Sequence, residues 1–485
     1  MTADTIAGHM LESGSLPPRT RLAKLLGETG LIVILCVGVL APALTLTPTW
    51  PQIRTETVML LAYAAVYGWL LLAGLAKPVR LHAFYLIGVL FSLSVMISLM
   101  YGSLILNHEV SFRDFYEIPK CWLPVFFFTI AYEAELSEQG INRLLDFFAI
   151  AVALVCLYGW AQFLDLGIAA QLNHYYSDFG HNFGGLIRYG RIFSTLGNPN
   201  SLGQLMSWTL CIYVLAFLFG VGSRVRNLCL IVMCGVTVAL TSSRYGLLAS
   251  GVGLLLVLGL SMSSRRRGAK LIGLAVVIVL LGPVVAQTAQ SSYWAASRFE
   301  QLKNPLQVDS LRGRLDTLWL DAGGYFLSSP WVGHGPAKKL FDAVYTDSEY
   351  LDILKYYGAV GFIAYLAYYL WPLMEIFKGM KRIRLVNPDL EESLSANVLV
   401  IRAGFTIFCL ALFMNVGEFT LYNSVLLAFL WLWAGLAVRA SHFVMEVAAQ
   451  DSISGVTWAP RFRLARDSKA TPFRIAVRRL DPLHD

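Results

Sequence analysis

Cations recur in this chain at the ends of segments otherwise too apolar to tolerate them. Arg188 and Arg191 lie in "RYGRIFSTLGNPN", Arg244 in "TSSRYG", Arg312 and Arg314 in "LRGRLDTLW", and Lys120 closes "NHEVSFRDFYEIPK". A charge at a membrane boundary is costly unless it pairs or meets water, which makes each of these a functional candidate. Guanidinium groups offer forked donors that suit phosphate oxygens, so several converging from different helices would form a site for a diphosphate. A lipid-linked sugar carries such a group at the lipid–water boundary. The structural alternative is that these side chains extend to headgroups or pair with Glu109, Asp114, Glu300, Asp309 or Asp316. Arg244 resists that alternative best, because its tight connection leaves almost no loop to solvate the charge.

A second constellation is "SSPWVGHGPAKKLFDAVYTDSEYLDILKYYGAVG", Ser328 to Gly361. Glycines around His334, followed by Pro336, mark a sharp turn where backbone approaches something closely. Asp347 and Glu349 then lead into an apolar run, where a carboxylate could take a proton from a sugar hydroxyl. Helix capping competes as an explanation, since Asp347 or Ser348 before an apolar run, with Glu349 and Asp352 behind it, is also how helices start. In "LGNPN", Asn198 can cap exposed amides and Pro199 suits a first helical turn. Asn198, Asn200, His334 and Tyr350 stand as further candidates for contact with substrate. His174, Asp178 and His181 match no dependable metal-ligand spacing. With no Gly-rich phosphate loop, zincin motif or DxD-like pair, neither a metal, a nucleotide cofactor nor a nucleic-acid partner is indicated.

The elements that must position these residues are membrane helices. The 485-residue chain is 56% hydrophobic and 14% charged, with a mean hydropathy of +0.60, which no water-soluble domain of this length would carry. Apolar windows fall near 31–48, 57–76, 82–106, 119–134, 144–164, 200–220, 227–241, 245–262, 271–287, 351–376, 397–416 and 422–438, each near the ~20 residues that cross a bilayer. The sequence therefore predicts an all-α polytopic membrane protein of about twelve spans. Its parts are a cytoplasmic tail (1–30), nine spans (31–287), a large extracytoplasmic loop (288–349), three spans (350–438) and a basic cytoplasmic tail (439–485). The loop is long enough to be functional and has helical periodicity around Leu311, Leu315, Leu318 and Trp319. The seven cysteines lie in or beside apolar segments and form no CxxC pair, reading as small core residues.

Lys77, Arg80, Arg224, Arg226, "SSRRRGAK" and "KGMKRIR" occupy alternate connections, which the positive-inside bias assigns to the cytoplasm. The candidate site stretches, together with "NVGEF" (Asn415 to Phe419), then share the outer face. The basic C-terminal tail is expected to lie against anionic lipid.

In order and side, "RIFSTLGNPNSLG", "ALTSSRYGLLAS", "RLDTLWLDAGGYFLSSPWVGHGP" and "DSEYLDILKYYGAVGFIAYL" resemble the O-antigen ligase and polymerase family of bacterial envelope glycosyltransferases. The resemblance implies a GT-C-like membrane fold and metal-independent, inverting transfer of glycan from undecaprenyl diphosphate to an acceptor hydroxyl on the outer face of the inner membrane. It implies that Arg191, Arg244 and either Arg312 or Arg314 hold the diphosphate, with Arg188 and Lys120 as further candidates. Ligases typically carry a histidine where this chain has Asp347, so "DSEYL" looks more like a polymerase of O-antigen or exopolysaccharide. The acceptor is then a lipid-linked glycan, with a chain-length regulator as an expected partner; a ligase would instead use lipid A core. A transporter or flippase is the reading from another class, but charged mid-membrane positions and paired broken helices are not evident.

Overall fold

The computed structural model describes residues 18–41, 43–44, 53–74, 82–134, 136–176, 190–261, 313–341, 346–385, 394–418, 420 and 423–454. Helix α1 (Pro18–Leu40) is followed by a minimal antiparallel ladder of β1 (Ala43–Leu44) on β2 (Ile53–Arg54). Then come α2 (Thr55–Leu72), α3 (Ala83–Leu104), the single turns α4 (Phe112–Phe115) and α5 (Glu117–Lys120), α6 (Leu123–Glu133), α7 (Glu138–Phe163) and α8 (Gly167–Tyr176). A 3-10 turn (Ser194–Leu196) leads into α9 (Pro199–Phe219), α10 (Arg224–Thr241) and α11 (Arg244–Ser261). A π-helical segment (Arg314–Trp319) runs into α12 (Leu320–Ser328), before α13 (Lys338–Phe341), α14 (Glu349–Leu385), α15 (Ser395–Met414) and α16 (Ser424–Ser454).

Eight of the described helices are long and apolar enough to cross a membrane, so the chain is a polytopic all-α membrane protein, as the hydropathy pattern requires. Every predicted apolar window coincides with a helix except 271–287, which lies outside the described residues together with 288–312. The first helix begins at Pro18, inside the stretch expected to be a tail, and stops at Leu40 rather than 48. Proline suits a first helical turn, which fits the start of α1 at Pro18. At 119–134 the helix is split into α5 and α6, and α16 runs past 438 to Ser454.

Helices α9 and α16 form the centre, with 89% of their apolar windows buried, whereas only 28% of that of α11 is covered. Trp431 of α16 packs among Phe84, Tyr368, Tyr369 and Phe408, joining α3, α14 and α15 to the core. On the outer layer, α3 turns Leu86, Leu90, Leu93 and Ile97 outward, as a lipid-facing surface demands.

The two ends of the bundle differ. At one end, Arg143 meets Glu28, Arg226 meets Asp146, and Lys378 and His442 meet Glu375. The opposite end gathers the starts of α9, α11, α14 and α16 and the ends of α3, α10 and α15.

The polar segment before α13 is built into a break in α14. Gly358 there has φ 61° and ψ −167°, which interrupts the helix. The interruption leaves backbone groups that must find partners elsewhere. Pro330 O and Trp331 O accept Ala359 N and Val360 N at 2.8 and 3.2 Å, while His334 N and Gly335 N donate to Lys355 O and Tyr356 O at 3.1 and 2.9 Å. A Cβ on Gly358 would lie 2.5 Å from the Trp331 carbonyl carbon. Gly358→Ala is therefore expected to lower stability by roughly 2 kcal/mol or more, seen as a lower thermal unfolding midpoint in detergent.

Candidate functional site

Arg191 and Arg244 come together at the end of the bundle that collects the helix starts. Arg191 is fixed through two of its donors: Nε donates to Thr241 O at 3.1 Å, and a terminal nitrogen donates to Asn200 Oδ1 at 2.9 Å. The first acceptor is a carbonyl at the end of α10, which carries partial negative charge. Asn198 caps α9, its side chain accepting Asn200 N at 2.8 Å, with Pro199 in the first turn. The asparagines of "GNPN" thus divide their roles between capping the helix and holding the arginine.

A two-residue turn, with Ser242 at φ 50°, separates α10 from α11 and places Arg244 at the first position of α11. Ser243 Oγ accepts Gly246 N at 3.1 Å and so caps that helix. The starts of α9 and α11 lie side by side because both lack a side chain at the contact: a Cβ on Gly246 would stand 3.0 Å from Gly203 Cα. Two positive helix ends and two guanidinium groups therefore share one small region. Burial lowers the proton affinity of Arg191, the carboxylate of Glu418 opposes that effect, and Arg244 adds repulsion. Arginine remains charged under all these influences.

Glu349, the first residue of α14, is wholly buried. Its carboxylate accepts Thr420 N at 2.5 Å, the Tyr365 hydroxyl, and the Tyr369 hydroxyl at 3.5 Å. Asn415 ties both tyrosines together and accepts Thr420 Oγ1 at 2.6 Å, while Gln204 donates to that hydroxyl at 3.0 Å. Asn423 reaches Ser201 Oγ at 2.9 Å. This network joins the start of α14 to the start of α9, and so to the arginines. Asp347, two residues earlier in the chain, is half-buried. The Tyr350 hydroxyl donates to Leu412 O at 2.5 Å, which turns it toward α15.

Lys120 and His334 belong to neighbouring assemblies. Lys120 and Lys338 flank Glu117 at 3.5 and 3.2 Å, and Asp114 Oδ1 accepts Lys338 N at 2.8 Å. Burial pushes the Glu117 carboxyl up, but the two lysines outweigh it and hold it below its ordinary value. His334 Nδ1 faces His108 Nε2 at 3.1 Å, while its Nε2 faces Ser328 Oγ and Tyr325 O at 2.8 and 2.9 Å. Burial lowers the proton affinity of both histidines. Arg188 and Arg312 lie outside the described residues, as do Asp178 and His181; for Arg314 and His174 only the backbone is described. Among the described residues no group of His, Cys, Asp or Glu could hold a metal ion.

The bundle defines a multi-pass membrane protein in which Arg191 and Arg244 converge at the end where α9 and α11 begin. Residues 229–366, from within α10 to within α14, match the model of a family described as O-antigen ligase. Over these residues the match supports an O-antigen ligase/polymerase-like family and that broad type of function. A search of the curated proteins finds no match. The matched stretch includes Arg244, His334, Asp347 and Glu349; Arg191 precedes it, and the structure is what brings Arg191 to Arg244. Nothing in the sequence assigns a role to Glu418 of "NVGEF", because its influence on Arg191 depends on packing between helices far apart in the chain.

Removing the Glu349 carboxylate should leave a buried amide and tyrosine hydroxyls unsatisfied. Glu349→Ala is expected to cost roughly 2–4 kcal/mol and to lower the unfolding midpoint more than Glu349→Gln does. Since the folded state binds protons at His108 and His334 less readily than the unfolded chain, their contribution is complete above the ordinary histidine range and lost as pH falls through the depressed values. Thermal unfolding should show that loss on acidification, and the double variant His108→Gln with His334→Gln should flatten it.

Proposed function

We propose that the protein polymerises undecaprenyl-diphosphate-linked oligosaccharide repeat units into O-antigen or exopolysaccharide on the outer face of the bacterial inner membrane. The observation that carries the reading is the convergence of Arg191 and Arg244 beside the starts of α9 and α11. An undecaprenyl chain can lie in the lipid while its diphosphate meets the guanidinium forks at the bundle's end. Arg314, and Arg312 and Arg188 from the flanking segments, are proposed as additional diphosphate ligands. Lys120 is proposed as a lesser contributor, because Glu117 already engages it.

In the transfer, the acceptor hydroxyl oxygen attacks the anomeric carbon of the donor sugar. The bond from that carbon to the diphosphate oxygen breaks, and the diphosphate leaves with the electron pair. The hydroxyl proton passes to Asp347, and attack opposite the leaving group inverts the anomeric centre. Fixed guanidinium groups aimed at the departing oxygens supply preorganised charge, the effect that usually contributes most to such catalysis. Glu349 is assigned to positioning, since its carboxylate is engaged by Tyr365, Tyr369 and Thr420. His334 anchors the loop over the break in α14, and Asn198, Asn200 and Tyr350 shape the site from behind.

The family description favours a second reading, transfer of finished polysaccharide to lipid A core. Purified protein given lipid-linked repeat units alone distinguishes the two. A ladder of lengthening products is expected, whereas product formation only with a lipid A acceptor would support the ligase. Arg191→Lys and Arg244→Lys keep the charge and lose the fork, so each should reduce turnover by roughly 100-fold or more while the protein stays folded. Unchanged turnover in both would refute the assigned role.

A further inference from the structure

We infer that Glu418 is the resident counter-ion of the donor site, and that a polyprenyl diphosphate binds by exchanging with its carboxylate at Arg191 and Arg244. The inference rests on the donor-site reading above.

Glu418 sits on the short connection between α15 and α16, and that connection is tied down on both sides of it. Before it, Gly417 N donates to Met414 O at 3.0 Å, and Gly417 is packed so closely on Tyr245 that a Cβ would collide with the tyrosine hydroxyl. After it, Thr420 is bonded through N to Glu349 at 2.5 Å, through Oγ1 to Asn415 at 2.6 Å, and to Gln204 at 3.0 Å. Tyr245 follows Arg244 directly, so the clamp on Gly417 brings the connection that carries Glu418 to the start of α11, where Arg244 lies. Glu418 Oε1 is shielded from solvent, and the carboxylate acts on Arg191 as an attractive charge while Arg244 acts as a repulsive one.

Two guanidinium groups enclosed near each other repel, and repulsion between them would splay the forks that must grip phosphate. A single carboxylate held next to them relieves part of that repulsion and keeps both side chains in place when no donor is bound. Two cations against one anion still leave an excess of positive charge. A monovalent anion gains little by displacing a carboxylate already fixed there. A diphosphate carries more charge and more acceptor oxygens, so it can outcompete the Glu418 charge for the arginine pair. Glu418 thereby raises the threshold for entry and favours polyanionic groups.

The sign of the effect separates this role from a structural one. Glu418→Gln keeps shape and hydrogen-bonding capacity but removes the competing charge. Binding of farnesyl diphosphate, measured by calorimetry in nanodiscs at fixed ionic strength, should become at least about tenfold tighter. Glu418→Asp withdraws the charge by one methylene and should tighten binding by roughly threefold, which keeps the test available if the glutamine variant does not fold. Unchanged or weaker binding in a folded variant overturns the inference while leaving the donor site intact. If wild-type protein does not bind farnesyl diphosphate at all, or Arg191→Lys and Arg244→Lys bind it as the wild type does, the donor-site reading falls and the inference falls with it.

Discussion

An arginine side chain near a bilayer must be held by something, and the hold on Arg191 organises the end of this bundle. Its guanidinium group reaches the last carbonyl region of α10 and the first turn of α9 at once. Those contacts exist only if α10 ends and α9 begins at the same level. The requirement is met by a tight turn before Arg244 and by the glycine contact between α9 and α11. Backbone close packing and cation placement are therefore one constraint, since a side chain at Gly203 or Gly246 would part the helices that bring the two arginines together.

A second polar core supports the first. Glu349, Asn415, Tyr365, Tyr369, Thr420 and Gln204 link α14, α15, α9 and the connection to α16 through buried hydrogen bonds. In lipid-embedded helices such bonds are among the few directional forces available, because apolar side chains gain little by leaving hydrocarbon. The network also explains how residues widely separated along the chain can be held within one site. The loop at Pro330–Pro336 performs the corresponding task for α14, satisfying the backbone groups that the break at Gly358 releases.

Much of this was legible in the sequence. Hydropathy located the helices because a bilayer imposes their length, and alternation of polar connections grouped "RIFSTLGNPN", "TSSRYG" and "NVGEF" at one end. The capping role of Asn198 followed from the Asn-Pro pair, whose local chemistry needs no tertiary context. Other features were hidden. The start of α1 at Pro18 is not visible in the hydropathy pattern, because its first turns are polar and a window average shows no helix there. Glu349 reads from sequence as either a first-turn acid or a base, and only packing shows its carboxylate enclosed by two tyrosines and an amide. The electrostatic pull of Glu418 on Arg191 depends on helices whose neighbours cannot be read from spacing at all.

The proposed function depends on Arg191 and Arg244 together receiving a lipid diphosphate. A cryo-electron microscopy structure in nanodiscs with undecaprenyl diphosphate bound tests it most directly. The account predicts density for both phosphates within hydrogen-bonding reach of the two guanidinium groups, at the end of the bundle where α9 and α11 begin. Diphosphate density at the Lys120–Glu117–Lys338 group, or at the end marked by Arg226 and Asp146, would contradict it.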